Sequence, residues 1–276
     1  MNWPTFRHEA MATFFEITIA DQTAAYAQQA AGAAWRQLDR LEGELSRYIE
    51  SSDIVRANRL ARGETIVICD DALECLLLAA EISLTTHRAF DAAYASERAA
   101  DLPQDSPLFT LDPAAHTLTS HAARLHLDLG AIGKGYALDR LADSLCEWNV
   151  TSACLNSGGS TVLPLAPPAG EAGWPIGLDD RTRLLAHAAL SGSGTAVKGA
   201  HLIDPRSGEP AARKTRAWAL APTAALADAL STAFFVWSDA EVAVFCAAHP
   251  EIGAALAESR GELALHGALK KPGPGD

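Results

Sequence analysis

DLGAIGKGYALD, at residues 128–139, places three glycines directly before a predicted helix that runs from about Tyr136 to Trp148. Glycine allows positive φ and a close approach of the backbone to a ligand. The stretch is neither a GxGxxG loop within a βαβ unit nor a Walker A loop, in which Ser or Thr follows Gly-Lys. It therefore lacks the signatures of the two best-known nucleotide-binding turns.

Strands and helices are mixed irregularly on both sides of this turn. The predicted elements before it are a strand at 13–20, a helix capped by Asp21 that runs to about Tyr48, a strand at 64–69, a helix capped by Asp70 and Asp71, a surface loop at 99–116, and strands at TLTS and RLHLDL. Those after it are two strands within 151–165, strands around WPIGL and LLAHAAL, a loop at 197–211, a strand at 216–221, and helices over 223–238 and 240–249. Because regular βαβ alternation is lacking, we predict an α+β fold of mixed sheets with packed helices. Residues 1–268 are predicted to form one domain and 269–276 a disordered tail.

The bulk composition limits the classes of function. The formal net charge is −12, so nucleic acid or an anionic membrane is not an expected partner, and an anionic dinucleotide would need a local positive site or a metal ion. The sequence shows neither a long uncharged apolar run nor a secretory signal, which predicts a cytoplasmic protein without a membrane span. Its five scattered cysteines form no CxxC pair and are expected to be reduced thiols.

Two segments carry candidate ligands for an anion and a cation. Lys134 lies just before a helix N-terminus, where backbone amides favour an anion, although a plain turn with a solvated lysine fits the stretch equally well. In ALADALSTAFF, residues 225–235, Asp228 and Thr232 are four residues apart and share one helix face, where both oxygens can reach one hard cation. A carboxylate among apolar neighbours is costly unless it is paired or metal-bound, but an Asp that stabilises the helix dipole is the alternative.

Two further segments carry weaker signals. His201 precedes the turn in HLIDPRSG, residues 201–208, and histidine is suited to take a proton from a hydroxyl near neutral pH, although a structural histidine beside a turn is more common. NSGGS, residues 156–160, is either a turn whose amides face a ligand or an ordinary tight turn.

Taken together and in order, seven segments resemble the ApbE family of FAD:protein FMN transferases, and the resemblance covers nearly the whole chain. They are MATFFEI, LSRYIESSDIVRANR, RAFDAAY, DLGAIGKGYALD, LNSGGS, HLIDPRSG and ADALSTAFFV. The resemblance implies an ApbE-like, T-fold-related architecture. It also implies Mg²⁺-dependent transfer of FMN from FAD to a Thr or Ser hydroxyl of a target flavoprotein with release of AMP, and Mn²⁺ as an alternative metal.

The resemblance also implies roles for individual residues. Asp228, Thr232 and the Gly133 carbonyl would hold the metal, and His201 would deprotonate the acceptor hydroxyl. The residues implied to line the flavin site are Met11, Ser46, Tyr48, Asn58, Asp91, Lys134 and Gly158. Three positions depart from the usual family pattern: Ala12 replaces a glycine, Ala92 a proline and Ser160 an acid.

Transfer to a protein has two alternatives that use the same residues. One is hydrolysis of FAD to FMN and AMP with water as acceptor, and the other is FAD binding without catalysis. Phosphoanhydride cleavage with phosphoester formation needs a cation that offsets charge and a base that activates the incoming oxygen. The sequence supplies one candidate for each.

Overall fold

The computed structural model describes residues 3–194, 203–211, 214–258 and 263–270. Its strands are β1 (Thr5–Ala10), β2 (Thr13–Ile19), β3 (Thr65–Val67), β4 (Phe109–Asp112), β5 (Thr117–Ser120), β6 (Ala153–Ser157), β7 (Thr161–Pro164), β8 (Trp174–Leu178), β9 (Arg181–Leu185), β10 (Ala189–Gly194), β11 (Arg216–Ala221), β12 (Gly253–Ala257) and β13 (Ala264–Gly267). Its α-helices are α1 (Ala24–Leu45), α2 (Asp53–Asn58), α3 (Asp70–Thr85), α4 (Gly133–Glu147), α5 (Ala224–Val236) and α6 (Asp239–Ala248), and a 3₁₀ turn covers Ala268–Lys270.

The strands form one large sheet and two small ones. The large sheet has the order β1-β2-β6-β7-β10-β11-β12-β13, and every neighbouring pair is antiparallel. The small sheets are β3-β5-β4 and the hairpin β8-β9. Antiparallel sheets with separate helices confirm the predicted α+β class.

Helix α5 lies at the centre of the molecule, against β7, β10 and β11 on one side and α4 on the other. It is apolar almost all round, as expected of a helix buried on every side, and Phe234 and Phe235 are fully buried. Thr223 caps it by accepting a hydrogen bond from the backbone amide of Leu226. The opposite face of the large sheet is covered by β8, whose alternate residues Trp174, Ile176 and Leu178 point inward.

The first long helix follows its sequence pattern closely. Ala30, Ala34, Leu38, Leu41 and Leu45, predicted to share one face, are all buried. Its cap, however, is Thr23 and not Asp21. Asp21 has a φ of 58°, and its carboxylate accepts a hydrogen bond from the backbone of Ala169.

Several predicted boundaries are wrong. Asp70 and Asp71 lie in the first turn of α3, and Cys69 is its N-cap. Helix α4 begins at Gly133, three residues before the predicted start. The predicted loop at 99–116 contains β4, and the segment around LLAHAAL is divided between β9 and β10. RLHLDL forms no strand: it has one isolated bridge, between Arg124 and Glu97.

The sequence patterns missed β1, α2, β12 and β13. GAALA in β12 is buried at every residue, so it shows no alternation, and alanine favours helix over strand.

The 3₁₀ turn reaches Lys270 and buries Leu269, so 269 and 270 do not belong to a disordered tail. Residues 271–276 lie outside the described chain. No described helix is both long enough and apolar enough to span a bilayer.

The turn between β1 and β2 consists of Met11 and Ala12, which have φ values of 51° and 57°. A two-residue hairpin turn with both φ values positive matches the twist of its strands but strains residues that have a Cβ. The Met11 amide is tied to Glu42 of α1 by a 2.7 Å hydrogen bond. The family's usual glycine at position 12 is therefore explained by the backbone conformation.

Ala12→Gly should raise the free energy of unfolding by about 0.5–1 kcal/mol, because removing the Cβ relieves more strain than the flexible unfolded chain costs. Urea denaturation measures the change. Ala115→Gly is the matched control, since Ala115 is also exposed in a turn but does not have positive φ. Destabilisation of both variants would contradict this explanation of the turn.

The N-terminus of α5 is held by a residue of α4. The two carboxylate oxygens of Asp139 accept hydrogen bonds of 2.8 Å from the backbone amides of Ala224 and Ala225. Burial raises the pKa of Asp139 from 3.8 to about 6, although these two amides act in the opposite direction. Asp139 thus fixes the position of α5, and with it every side chain that α5 carries.

The raised pKa of Asp139 predicts a pH dependence of stability. The folded state binds a proton at this carboxyl more tightly than the unfolded state, so its contribution to stability falls as pH rises from about 4 to about 6. Asp139→Asn does not titrate. The unfolding free energy of the variant relative to the wild type should therefore increase by up to about 3 kcal/mol between about pH 4 and pH 7. Urea denaturation across this range measures it, and a difference independent of pH would show that the pKa is not raised.

Candidate functional site

The glycine-rich turn at 128–135 meets α5 at very short range. A Cβ placed on Gly135 would lie 2.2 Å from the carbonyl oxygen of Ala224. No side chain fits there, so the last glycine of the turn is required by the contact between α4 and α5. This contact brings the start of α4 against the first turns of α5, where Asp228 lies.

Asp228 is 5% exposed, and both of its carboxylate oxygens have partners. Oδ2 accepts from the Gly135 amide at 3.1 Å and lies 3.5 Å from the Lys134 ammonium. Oδ1 accepts from the hydroxyls of Thr161 and Ser191, both at 3.2 Å. The carboxylate is therefore stabilised mainly by neutral donors. Among the described residues, it forms one ion pair, with Lys134.

Thr232 lies one helical turn beyond Asp228 on α5, as the helical spacing predicted, and it is half-buried. Its hydroxyl is 3.3 Å from the hydroxyl of Ser193 on β10. The two candidate ligands thus lie at the junction of α5 with β10 and the start of α4. Thr232 was predicted from the sequence, and Ser193 was not.

Gly133 and Lys134 lie at the first turn of α4. The Gly133 amide donates to the Leu129 carbonyl at 2.6 Å, and Gly133 is buried. The Lys134 ammonium donates to the Gly130 carbonyl at 2.8 Å and extends toward Asp228. Lys134 is therefore more than a solvated side chain of a plain turn, because it reaches the candidate cation site.

The donors at this junction suit a hard divalent cation. They are the Asp228 carboxylate, the Thr232 hydroxyl and the predicted Gly133 carbonyl, and Mg²⁺ prefers oxygen ligands of these kinds. Mg²⁺ commonly takes one or two protein carboxylates and completes its shell with water and ligand phosphates. In the described parts of the chain, no three His, Cys, Asp or Glu side chains form a metal-binding group. The residues present fit a sparse magnesium site built around one carboxylate.

Three of the sequence segments meet just before the glycine-rich turn. The Asn58 side chain donates to the Leu127 carbonyl and accepts from its amide, at 2.9 and 2.6 Å. Asp128 pairs with Arg47 at 3.0 Å, and its amide donates to the Ala92 carbonyl at 2.8 Å. The amide of Asn58, predicted to line the flavin site, is thus committed to the backbone of Leu127.

The segment that ends α1 supplies two predicted flavin-site residues. Ser46 is the C-cap of α1, and its hydroxyl accepts from the amide of Tyr48 at 3.2 Å. Tyr48 is 73% exposed, and the guanidinium of Arg47 lies 4.8 Å from the centre of its ring. An exposed aromatic side chain beside a cation is available to a planar ligand.

Asp91 lies in a second region of the predicted flavin site. Its carboxylate accepts from the Arg88 guanidinium at 3.0 Å and from the Ala93 amide at 2.8 Å. It lines a cavity of about 360 Å³ together with Pro205 and Arg206. The structure therefore brings RAFDAAY and the described part of HLIDPRSG to one cavity.

The NSGGS turn contacts the first hairpin. Gly158 has a φ of 57°, and a Cβ there would lie 2.2 Å from the Thr13 hydroxyl. The Gly158 amide donates to the Phe14 carbonyl at 2.7 Å. Gly158, predicted to line the flavin site, is thus needed for packing against the strand that follows Met11. Ser160, at the position of the usual acid, donates its hydroxyl to the Ser157 carbonyl at 3.1 Å.

His201 lies outside the described residues, so its role as the base stays a prediction. The described part of the same segment is a turn in which Asp204 pairs with Arg206 at 2.9 Å. The hydrogen bond from Arg206 holds the pKa of Asp204 below its ordinary value.

Sequence reasoning missed several residues that hold the site in place. Thr161, Ser191 and Ser193 surround the two candidate ligands, and Asp139 anchors α5. Asp139 ends the glycine-rich motif one helical turn after Gly135, which is a usable signal. The three hydroxyls lie on strands far away in sequence, where no local pattern connects them to α5.

Comparisons with known proteins identify the family of this chain. The model of the ApbE family matches residues 11–256. A FAD:protein FMN transferase of Klebsiella pneumoniae (strain 342) is 23% identical over 273 residues, covering 83% of this chain and 77% of that relative. A second match to a protein of that description from the same strain is 34% identical over 103 residues, covering 31% of this chain and 30% of the relative.

Solved structures share the fold over nearly the whole chain. The flavinyl transferase ApbE of Pseudomonas stutzeri, in its apo form, has a TM-score of 0.84 at 21% identity, covering 98% of this chain and 97% of that one. The ApbE protein of Thermotoga maritima has a TM-score of 0.83 at 22% identity, with 98% of both chains covered. The flavin transferase ApbE of Vibrio cholerae has a TM-score of 0.81 at 19% identity, covering 98% of this chain and 99% of that one. The predicted family is thus confirmed: this chain belongs to the ApbE family.

Proposed function

We propose that this chain is a FAD:protein FMN transferase, which moves FMN from FAD to a Thr or Ser hydroxyl of a target flavoprotein and releases AMP. Family membership and the names of the relatives support flavin transfer in general. The observation that carries the finer proposal is the position of Asp228 beside Lys134 and the Gly135 amide, with Thr232 one helical turn further along α5. FAD is then the substrate, and the acceptor flavoprotein is the partner.

Each residue of this junction has a defined task in the proposal. Asp228 Oδ2, the Thr232 hydroxyl and the Gly133 carbonyl would hold Mg²⁺, or Mn²⁺ in its place. When bound, the cation supplies positive charge that offsets the charge of the pyrophosphate oxygens of FAD. Lys134 adds a second positive charge near Asp228, which a phosphate needs in a chain of net charge −12.

The remaining tasks belong to groups around the junction. His201 is proposed to take the proton of the acceptor hydroxyl, and the aromatic ring of Tyr48 is exposed for contact with the flavin. Met11, Ser46, Asn58, Asp91 and Gly158 are proposed to form or support the flavin site. Of these, Asn58 and Gly158 act through the backbone segments that they contact.

Asp228→Asn should reduce Mg²⁺-dependent release of AMP from FAD by at least about a hundredfold, because the amide removes the negative charge and one acceptor while keeping the shape. AMP is measured by chromatography with FAD and Mg²⁺. Asp53→Asn is a matched control, since Asp53 is also a buried carboxylate of a helix but lies in α2. Full activity of Asp228→Asn would rule out the assigned site.

His201→Ala should slow transfer of FMN to a protein by about a hundred- to ten-thousandfold while leaving FAD binding unchanged, as expected for loss of a general base. Transfer is measured as covalent flavin fluorescence on the denatured acceptor, and binding by quenching of FAD fluorescence. An equal loss of binding and rate would make His201 a ligand contact instead.

The same assay separates transfer from hydrolysis. Covalent FMN on a candidate acceptor, identified by mass spectrometry, supports transfer. Release of AMP without modified acceptor would support the hydrolase, and FAD binding without AMP would support a protein that has lost catalysis. Work in the cytoplasm remains a prediction, supported by five cysteines that are all free.

A further inference from the structure

Four hydroxyl side chains form hydrogen bonds with the two residues that are the candidate metal ligands. They are Thr161 on β7, Ser191 and Ser193 on β10, and Ser231 on α5. Thr161, Ser191 and Ser231 are 1%, 0% and 0% exposed. Buried hydroxyls are costly unless their protons and lone pairs are used, so the direction of each hydrogen bond can be followed.

The direction is fixed by one carbonyl. The Ser231 hydroxyl lies 2.8 Å from the backbone carbonyl oxygen of Asp228. A carbonyl can only accept, so Ser231 donates its single hydroxyl proton to it. Ser193, 2.8 Å from Ser231, must therefore donate to it. Thr232, 3.3 Å from Ser193, must then donate to Ser193. The Thr232 proton therefore points toward Ser193, and the lone pairs of the Thr232 oxygen point in other directions.

The other two hydroxyls act on the carboxylate. Ser191 donates to Asp228 Oδ1 at 3.2 Å. Thr161 donates to the same oxygen at 3.2 Å or to Ser191 at 2.9 Å. Oδ1 is therefore occupied by neutral donors, while Oδ2 faces the Gly135 amide and Lys134.

We propose that these hydroxyls are positioning residues for a divalent cation. Ser193 and Ser231 hold the Thr232 proton away, so that a lone pair of the Thr232 oxygen faces the cation. Ser191 and Thr161 occupy Oδ1, so that Asp228 binds through Oδ2 alone. This rests on the proposed function, because it concerns the same cation site.

A hydroxyl that binds a cation needs a hydrogen-bond acceptor for its own proton. A neutral hydroxyl binds a cation through a lone pair, and its proton must then point to another acceptor. At the half-buried Thr232, the acceptor within hydrogen-bond distance is a protein group, the Ser193 hydroxyl. The other acceptor open to a helical threonine is a backbone carbonyl one turn earlier in the same helix.

Binding of Mn²⁺ alone to the purified full chain tests this, measured by electron paramagnetic resonance of the free ion. Ser193→Ala should weaken Mn²⁺ binding about 10- to 100-fold, as expected for loss of a group that orients a ligand. Ser191→Ala should also weaken it. Ser193→Thr keeps a hydroxyl at this position, so its Mn²⁺ affinity should lie within about threefold of the wild type. That loss is smaller than the roughly tenfold loss expected when an orienting group is removed.

Ser120→Ala is the matched control, because Ser120 is fully buried in β5 and its hydroxyl has no partner among the described residues. It should leave Mn²⁺ binding unchanged, and melting temperatures without metal should show that all variants fold. Unchanged binding in Ser193→Ala, with binding lost in Asp228→Asn, would overturn the hydroxyl chain but keep the proposed site. Unchanged binding in Asp228→Asn, or none in the wild type, would overturn both. An equal loss in Ser120→Ala would also overturn the positioning role.

Discussion

The contact between α4 and α5 at Gly135 is the constraint on which the candidate site depends. With no Cβ at Gly135, the backbone of α4 reaches the first turn of α5. The Asp139 carboxylate fixes that turn by accepting hydrogen bonds from the backbone amides of Ala224 and Ala225. The same approach delivers the Gly135 amide to Asp228. One added methyl group would separate the helices and remove the carboxylate from the turn that carries Lys134. Packing and site geometry are therefore a single feature here.

The electrostatics of Asp228 follow from this packing. A buried carboxylate needs donors, and most of those that it has are neutral: one amide and two hydroxyls. Neutral donors stabilise the carboxylate without cancelling its charge, which leaves that charge available to a cation. Lys134 is the charged partner, with its ammonium 3.5 Å from Asp228 Oδ2. A lysine side chain is flexible, so its ammonium can also turn toward a phosphate.

Local patterns in the sequence predicted what local geometry determines. The buried face of α1, the strand Arg216–Ala221 and the common face of Asp228 and Thr232 all follow from residue spacing within one element. What the patterns missed depends on distant partners. The hydroxyl of Thr161 meets Asp228 because β7 pairs with β10 beneath α5. The alanine-rich β12 is a strand because it pairs with β11 and β13, while α5, α6 and the 3₁₀ turn pack against it. Asp21 resembles a helix cap but is drawn to Ala169 across the fold.

The strand order of the large sheet has a consequence for biosynthesis. Asp228 is 93 residues from Gly135 and 67 from Thr161 along the chain, and β2 pairs with β6 although α1, α2, α3 and α4 lie between them in the sequence. Contacts of such long range close late, since loop entropy must be overcome first. A nascent polypeptide on the ribosome therefore carries an incomplete site through most of its synthesis. Only after α5 has emerged can Asp228 meet the Gly135 amide and the hydroxyl of Thr161.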